Sequence, residues 1–386
     1  MFYEKKGGDI QMEMTVTAKI KILPSVEEVK LLKKTMDAYR TACNDVSQLI
    51  FETRELRQPK LHKMKYTHLR ESFQLKSQMA QSVMKTVIAR YKSIKSNGHD
   101  WSLVKFKLPE YDLVFNRDYS FNKEKISINT LEGRVKLNYH AEGMETYFNE
   151  GWEFGTAKLV HKHKKWFLHI PMTKELPDFE MNQVNNIVGI DLGVNFIATT
   201  YDSKGKALFF NGKEIKHKRA QYLKVRKELQ QKQTSSARKR LKKIGSRENR
   251  WMNDVNHTIT KALVNRYGKD TLFVLEDLTG IRNVTEKVRL KDRYATVSWA
   301  FYDFRTKLEY KANLHGSKVI FVDPAYTSQT CPKCGHVDKV NRNKKLHLFK
   351  CKACHYTSND DRIGAMNLHR KGIEYRVAVN EEHALC

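Results

Sequence analysis

The 386-residue chain carries 71 lysines and arginines against 43 aspartates and glutamates, which gives a formal net charge of +28, and 40% of its residues are hydrophobic. This length allows two to four domains with cores of their own, and the charge predicts a nucleic-acid partner, because so large an excess of one sign destabilises a compact fold unless a polyanion neutralises it. The longest apolar runs fall far short of the roughly 20 residues that cross a bilayer, so we expect no membrane-spanning segment.

The amino-terminal half alternates between strand and helix signals. Residues 12–22 alternate apolar and polar side chains, which predicts a half-buried strand. Ser25 is a good N-cap for a helical insertion over residues 25–98, whose second helical stretch covers about 65–94. Short alternating runs then predict a small antiparallel sheet or barrel, at residues 125–129, 133–137, 155–160 and 165–170.

The carboxyl-terminal half has the element order of an RNase H-like α/β fold. A three-strand meander over residues 187–210 precedes a strongly basic segment, 213–250, which predicts one long basic helix or a helical pair. The remaining elements follow as a helix at 251–267, a strand at 271–276, a helix at 297–314, a strand at 318–322 and a terminal helix at 362–371. Three strands, helix, strand, helix, strand and helix is the order that such a fold requires.

Three carboxylates stand at points that this fold brings together. Asp191 closes the first strand of the meander, Glu276 closes the fourth strand, and Asp361 opens the terminal helix. Clustered carboxylates repel one another unless divalent metal ions lie between them, and two such ions can activate water against a phosphodiester. Each acid taken alone reads more simply as a turn or cap residue, but the joint pattern predicts metal-assisted hydrolysis of nucleic acid.

Two of these three carboxylates have another acidic residue directly beside them in the chain, and the candidate for the site must be distinguished from its neighbour. Glu276 and Asp277 point to opposite faces of a strand, so only one of them can face the site. Ser358, Asn359 and Asp360 are all plausible caps of the terminal helix, which makes Asp360 the structural acid and leaves Asp361 for chemistry.

A four-cysteine module interrupts the fold between the second and third acids. Two C-x-x-C pairs, separated by sixteen residues, predict a structural zinc ion held by Cys331, Cys334, Cys351 and Cys354. The amino terminus lacks the apolar stretch of a secretory signal, so we expect a reducing compartment and no disulfides. The nearby histidines are surplus to a complete thiolate set and are interpreted as surface or packing residues: His336, His347 and His355.

The basic segment 213–250 holds fifteen lysines and arginines against three glutamates, too lopsided a ratio for ion pairing within the helix. We therefore favour contact with phosphates over a solvated helix face. Three aromatic residues could stack on bases, although a place in the core is the favoured interpretation for each: Tyr222, Trp251 and Tyr326.

Four sequence blocks resemble the signature motifs of TnpB (OrfB), the transposon-encoded RNA-guided nuclease whose relatives are the miniature type V CRISPR effectors. They are Gly189-Ile-Asp-Leu-Gly193, Leu275-Glu-Asp-Leu278, residues 322–335 and residues 361–367. Matched to these blocks, Asp191, Glu276 and Asp361 take the places of the RuvC catalytic acids. The last block, Asp-Arg-Ile-Gly-Ala-Met-Asn, departs from the family's D-x-N-A-A-x-N at Ile363 and Gly364.

The resemblance implies an RNA-guided DNA endonuclease with a RuvC-type two-metal site. Its cofactors would be two catalytic Mg²⁺ ions held by the three acids, one structural Zn²⁺ and a guide RNA, and its substrate would be double-stranded DNA beside a short flanking motif. We expect one protein chain per RNA complex and a cytoplasmic, nucleoid-associated location in a prokaryote. The implied organisation is a β-barrel-like wedge domain (1–24, 99–185) with a helical recognition lobe (25–98), a RuvC-like nuclease domain (186–326, 358–372), a zinc ribbon (327–357) and a tail (373–386).

Other function classes remain open at this stage. A guided DNA-binding repressor would have lost cleavage, but all three acids are present here. A DDE transposase or an unguided junction resolvase shares the sheet and the acids, but the ribbon insertion and the helical lobe argue against both. A miniature type V CRISPR effector differs in the source of its guide RNA, which the gene neighbourhood would reveal.

Overall fold

The computed structural model describes residues 12–122, 125–140, 142, 147–148, 151–162, 164–193, 195–277 and 300–384. Its contacts divide the chain into two compact units, Met1–Glu175 and Leu176–Cys386. Leu278 and the predicted start of a helix at 297 lie outside the described residues. Within them, no helix combines the length and the apolar character that crossing a membrane requires.

The first unit begins with a strand and a group of helices. These are β1 (Met12–Leu23), α1 (Val26–Thr53), α2 (Gln58–Ser72) and α3 (Ser77–Ser96). Ser25 caps α1 in a capping box, since its hydroxyl accepts from the N–H of Glu28 and its own N–H donates to the Glu28 carboxylate. The predicted second helical stretch is in fact two helices, because Gln74 adopts a left-handed φ of 54° between them.

Seven further strands join β1 in an eight-stranded, barrel-like sheet. They are β2 (Tyr111–Leu113), β3 (Tyr119–Asn122), β4 (Lys125–Thr130), β5 (Gly133–His140), β6 (Glu153–Phe154), β7 (Ala157–Lys162) and β8 (Lys165–Leu176). The strand order is β2-β7-β8-β1-β5-β4-β3, and β6 pairs with β8. The small sheet with a helical insertion, predicted from alternating residues, is therefore present.

The second unit is built on a five-stranded sheet of order β11-β10-β9-β12-β13. Its strands are β9 (Asn186–Asp191), β10 (Phe196–Asp202), β11 (Ala207–Asn211), β12 (Thr271–Glu276) and β13 (Lys318–Val322). The first three form the predicted antiparallel meander, whereas β9, β12 and β13 run parallel. The parallel pairing brings the carboxyl ends of β9 and β12 to the same edge of the sheet.

Within the described ranges, four α-helices accompany this sheet: α4 (Lys213–Gln231), α5 (Ser235–Tyr267), α6 (Ala300–Leu314) and α7 (Asp360–Ala384). The basic segment is thus a helical pair, and its second member continues through the predicted helix at 251–267. The prediction that the last helix ends at residue 371 is wrong. Helix α7 continues because Tyr375 and Val379 pack against the apolar cluster around Val274 and Leu368.

Side-chain alternation along the strands creates a core on each face of the sheet. Val188, Ile190 and Phe273 face α5 and α6, while Ile187 and Val274 face α7. Helix α7 crosses β9 in backbone contact, since a Cβ built on Gly189 would lie 2.1 Å from the carbonyl oxygen of Ala365. This close approach sets the first turn of α7 near the end of β9.

The cysteine module forms a small antiparallel sheet of β14 (Arg342–Asn343), β15 (Leu348–Lys350) and β16 (Thr357–Asn359). Its own core consists of Cys331, Cys351, Phe349 and Ile363. Ile363 belongs to α7, so the helix contributes one side chain to the core of the module and others to the main sheet.

Candidate active site

The three predicted carboxylates line one cavity of about 320 Å³. Asp191 is the last residue of β9, Glu276 is the last residue of β12, and Asp361 lies in the first turn of α7. The parallel register of β9 and β12 and the close passage of α7 bring them to the same edge of the sheet. The predicted convergence of the three acids is therefore found in the structure.

The environment of these acids disfavours their charged forms. Burial raises the pKa of Asp191 well above its ordinary value, and the charges of Glu276 and Asp361 raise it further. Burial likewise raises the pKa of Glu276, and burial together with the neighbouring Asp360 raises that of Asp361. A group of carboxylates that oppose one another's ionisation is the electrostatic signature of a cation site.

The acids next to these three have structural partners. Asp277 pairs with the guanidinium of Arg305 at 3.0 Å. Asp360 accepts from the Nε of Arg342 at 2.8 Å and is fully buried at its side chain. The cap of α7 is Asn359, whose Oδ1 accepts from the N–H groups of Asp361 and Arg362 at 3.1 Å each. The structure thus places Glu276 and Asp361 in the cavity and Asp277 and Asp360 in ion pairs. Side-chain periodicity had left the choice between Glu276 and Asp277 open.

Two cavity residues that were not predicted lie between the two cysteine pairs of the module. Arg342 places Nη2 3.9 Å from Asp361 Oδ1. His347 lies with Nε2 2.5 Å from the Asn195 side-chain amide and Nδ1 3.4 Å from Asp360 Oδ1. His347 is thus a partly exposed residue outside the group of four thiols, and the structure adds that it lines the carboxylate cavity. No local pattern marks either residue, and the only signal was their position between the two cysteine pairs.

Hydrogen bonds from the segment after β13 hold Glu276 in place. The Thr327 hydroxyl lies 2.5 Å from Glu276 Oε1 and lowers the pKa of that carboxyl, against the larger effect of burial. Asn367 of α7 in turn donates to the carbonyl oxygens of Thr327 and Thr330 at 2.7 and 2.9 Å. The asparagine of the last sequence block thus fixes the turn that orients Glu276.

The two departures from the family motif have structural consequences. A Cβ built on Gly364 would lie 3.0 Å from Asp191 Cγ and 3.1 Å from Oδ2, so an alanine there would press on this carboxylate. Ile363, in the place of the family's asparagine, is fully buried in the core of the cysteine module. Gly364 therefore leaves space for the Asp191 carboxylate, and Ile363 packs α7 against the cysteine module.

The thiols of the cysteine module are arranged for a tetrahedral ion. Among the described residues, the four Sγ atoms form a group within 4.8 Å of one another. The Cys331–Cys354 and Cys334–Cys351 sulfur distances are 3.6 and 3.5 Å. Four thiolates at 2.3 Å around a tetrahedral zinc ion would lie about 3.8 Å apart. A hydrogen bond from the N–H of Cys354 helps lower the pKa of Cys351 to about 6, whereas the crowding of the other three thiols raises the pKa of Cys334.

The three cavity carboxylates are more widely spaced than the thiols. In the described part of the chain, the other group of possible ligands within 4.8 Å is His347, Asp360 and Asp361, and it does not contain Asp191 or Glu276. The set of Asp191, Glu276 and Asp361 offers only oxygen ligands, which Mg²⁺ prefers, and no single tight cage. This donor set fits hard divalent ions that keep several water ligands.

A second, larger concavity lies between α4 and α5, with a volume of about 730 Å³. We call it the basic groove. Half-buried Tyr222, Val225 and Ile244 contribute its apolar surface, and five cations line it: Lys218, Lys239, Arg240, Lys243 and Arg247. None of the described residues that line it is acidic. The groove is therefore complementary to a phosphate-bearing ligand.

The three aromatic residues considered for base stacking differ in their surroundings. Trp251 carries the Lys218 ammonium 4.4 Å from its ring centroid and has Tyr222 at 6.3 Å. Tyr326 is 61% exposed, so the favoured place in the core is wrong for this residue. It lies in the turn between β13 and the cysteine module.

Comparison with protein families finds two matches. Residues 169–283 match the OrfB_IS605 family, described as a probable transposase, and residues 301–368 match the Cas12f1-like TNB domain. The chain is 30% identical over 251 residues to the CRISPR-associated endodeoxyribonuclease Cas12f1 of Sulfoacidibacillus thermotolerans, covering 61% of this chain and 57% of that protein. It is 28% identical over 263 residues to a TnpB-like protein of Methanocaldococcus jannaschii, covering 66% and 92%.

A third relative is the putative RNA-guided DNA endonuclease InsQ of Escherichia coli, 28% identical over 223 residues and covered over 53% of each chain. The chain thus spans about half the length of the Cas12f1 and InsQ relatives. Among solved structures, CasPhi-2 (Cas12j) bound to crRNA shares the fold, with a TM-score of 0.50, 10% identity, and coverage of 92% of this chain and 98% of that one. The resemblance to the TnpB (OrfB) proteins and their Cas12f1 relatives is therefore confirmed, with family matches over residues 169–283 and 301–368.

Proposed function

We propose that this protein is an RNA-guided DNA endonuclease of the TnpB type, whose carboxylate cavity hydrolyses phosphodiester bonds. The observation that carries the proposal is the cavity itself, in which Asp191, Glu276 and Asp361 meet beside Arg342. The names of the relatives, TnpB-like, InsQ and Cas12f1, support the guided activity. The strand order and the parallel core of the five-stranded sheet support a RuvC-type, RNase H-like nuclease domain.

The three carboxylates would hold two Mg²⁺ ions. Bound in this way, the ions would activate a water molecule and stabilise the leaving oxygen of the phosphodiester. Thr327 orients Glu276 through its hydroxyl. Arg342 is held by Asp360 at the cavity wall, from which its guanidinium can meet a phosphate oxygen.

The cysteine module would act as a zinc ribbon. Its closed set of four thiols leaves no ligand position for substrate, so the zinc ion would be structural. Because Arg342 and His347 belong to the module and line the cavity, the folded ribbon completes the site. We also retain the proposed division into a wedge domain, a recognition lobe, a nuclease domain (186–326 and 358–372) and a ribbon (327–357).

Guide RNA and double-stranded target DNA are the proposed partners. The charge of +28 and the cation-lined basic groove support a polyanionic partner. Sequence recognition by base pairing would leave the protein to bind the backbone and a short flanking motif. The proposed complex holds one copy of the protein.

The test has two stages. The protein is purified from cells that carry its native locus, and the co-purifying RNA is sequenced; absence of any discrete RNA would contradict the guided reaction. The complex is then incubated with a matched plasmid and Mg²⁺, alongside Asp361→Ala and the matched control Asp277→Ala, an acid paired with Arg305 outside the cavity. We expect cleavage by the wild type and the control but not by Asp361→Ala. Tight binding without any cleavage would favour a guided repressor instead.

A further inference from the structure

One exposed aromatic side chain stands beside the carboxylate cavity. Tyr326 is 61% exposed, and its chain neighbours Pro324 and Thr327 line the cavity. Consecutive Cα atoms are about 3.8 Å apart, so the tyrosine lies at the rim of the cavity. Its ring is not part of the cavity lining and faces solvent outside it.

The turn that carries Tyr326 is fixed on both sides. Its carbonyl oxygen accepts from the N–H groups of Gln329 and Thr330, each at 3.0 Å, and from the Thr330 hydroxyl at 2.9 Å. Helix α7 holds the same turn through Lys371, whose ammonium donates to the carbonyl oxygen of Asp323 at 2.5 Å. The ring is thus presented from a rigid support.

The backbone of Tyr326 adopts a left-handed φ of 62°. Glycine or asparagine adopts this conformation more readily than a bulky residue, so the turn itself gains nothing from tyrosine. A bulky aromatic residue in a disfavoured conformation beside a reactive cavity is typical of a residue with a functional role.

The lining of the cavity suits a phosphodiester better than the bases next to it. Besides its carboxylates and the Arg342 guanidinium, small polar groups, Leu192, Pro324 and the His347 imidazole line it, and none of the described lining residues is Phe, Tyr or Trp. A base that flanks the bound phosphate is better accommodated outside, where the exposed ring of Tyr326 offers a flat apolar surface. Every base has a π face and stacks on such a ring with little dependence on sequence.

We propose that Tyr326 stacks on the base of a nucleotide adjacent to the phosphodiester in the cavity, and so positions the DNA strand for cleavage. The inference rests on the proposed function, because it places the cut strand in this cavity. Tyr326 is a positioning residue under this proposal. It would act on either DNA strand that enters the cavity, without reading its sequence.

The first test measures stacking directly. Matched target DNA carries the fluorescent base 2-aminopurine at single positions within three nucleotides of the mapped cut, and is bound to the guide-loaded Asp361→Ala protein, which leaves the strand intact. We expect the 2-aminopurine fluorescence to be quenched at one position. This quenching should be lost when Tyr326→Leu is combined with Asp361→Ala, and it should be retained when Tyr326→Phe is combined with it. Equal fluorescence with Tyr326 and with leucine at every position would overturn the proposal. A parallel experiment places 2-aminopurine in the guide RNA. If quenching depends on Tyr326 only with this RNA probe, and not with the DNA probes, the proposal is also overturned.

The second test uses cleavage rates to ask whether the Tyr326 side chain and the base act through the same contact. Tyr326→Ala should slow cleavage about 5- to 150-fold, the range that corresponds to removing one base–aromatic stack. Removing the base at the quenched position should slow the wild type by a similar factor but have little further effect in Tyr326→Ala. Independent, multiplying effects would show that the ring and the base do not interact, and would overturn the proposal.

Two control variants separate stacking from folding. Tyr326→Gly relieves the left-handed backbone and should keep or raise the thermal stability while still slowing cleavage; restored cleavage with glycine would overturn the proposal. Tyr302→Ala removes another exposed tyrosine, 69% exposed on α6, and should not change the fluorescence pattern. If wild-type protein does not cleave at all, the proposed function fails, whereas normal cleavage without any dependence on Tyr326 refutes this inference alone.

Discussion

Changing Asp191 to asparagine should stabilise the metal-free protein while abolishing cleavage. Burial and the charges of Glu276 and Asp361 raise the pKa of Asp191 in the folded state, so the folded protein holds the proton more tightly than the unfolded chain. Protonation of Asp191 therefore stabilises the folded state. This stabilisation is fully present below the pKa of about 3.9 that the aspartate has in the unfolded chain, and it is lost as the pH rises through the pKa of Asp191 in the folded protein. At higher pH, the ionised acid opposes folding unless a cation binds.

The direction of the effect follows from the raised pKa of Asp191, because at pH 8 the asparagine removes a buried charge that opposes folding. We expect Asp191→Asn to raise the unfolding free energy in Mg²⁺-free buffer at pH 8 by about 0.5–2 kcal/mol, the usual size of a stabilising substitution. For a unit of this size, each kcal/mol raises the melting temperature by about 2–4 °C. At pH 4 the gain should be much smaller.

Thermal unfolding at pH 4 and pH 8, with and without Mg²⁺, measures this difference. The buffer is made free of Mg²⁺ without a chelator, so that the proposed zinc ion is not stripped from the cysteine module. Saturating Mg²⁺ should stabilise the wild type by about 2.7 kcal/mol at 100 times its Kd, and Asp191→Asn much less. Asp277→Asn is the control and should leave the Mg²⁺ response unchanged. A variant that is less stable than the wild type at pH 8 without Mg²⁺ would refute the reasoning.

Three further predictions concern the supports of the site. Thr327→Val removes a hydroxyl that favours ionised Glu276, so the acid limb of the pH–rate profile should move to higher pH; an unmoved limb would refute this role. Cys331→Ser should unfold the cysteine module and abolish cleavage, while RNA co-purification persists; retained cleavage would contradict a structural ion. A groove variant that combines Lys239→Glu, Arg240→Glu and Lys243→Glu should bind nucleic acid at least tenfold more weakly than the wild type, with a weaker dependence of binding on salt concentration. The control Lys63→Glu, on α2, should show neither effect.

Sequence alone predicted the features that depend on local periodicity. The meander follows from side-chain alternation and the later strands from the order of elements, and they are present. The charge of residues 213–250 left one long helix or a helical pair open, and the structure contains the pair. The choice of Asp361 over Asp360 rested on the preference of helix caps, and the structure places Asp361 in the cavity, although the cap is Asn359 and Asp360 pairs with Arg342. Its catalytic role stays a prediction.

The features that were missed depend on contacts between distant segments. Arg342 and His347 reach the cavity because the module folds back on α7, a contact that no spacing in the sequence encodes. The helical break at Gln74 depends on one left-handed residue, a conformation that glutamine rarely adopts. The extension of α7 beyond residue 371 is favoured by tertiary packing of Tyr375 and Val379.

The burial of Ile363 in the core of the cysteine module limits how this protein can be re-engineered. The first three turns of α7 contribute to two hydrophobic cores, because Ile363 packs with Cys331 and Phe349 while Leu368, five residues later, packs against the main sheet. Exchanging residues 327–357 for the equivalent piece of another protein would leave this isoleucine facing a foreign surface. A transplantable unit has to extend into the helix, and directed evolution of the module should select compensating changes at position 363.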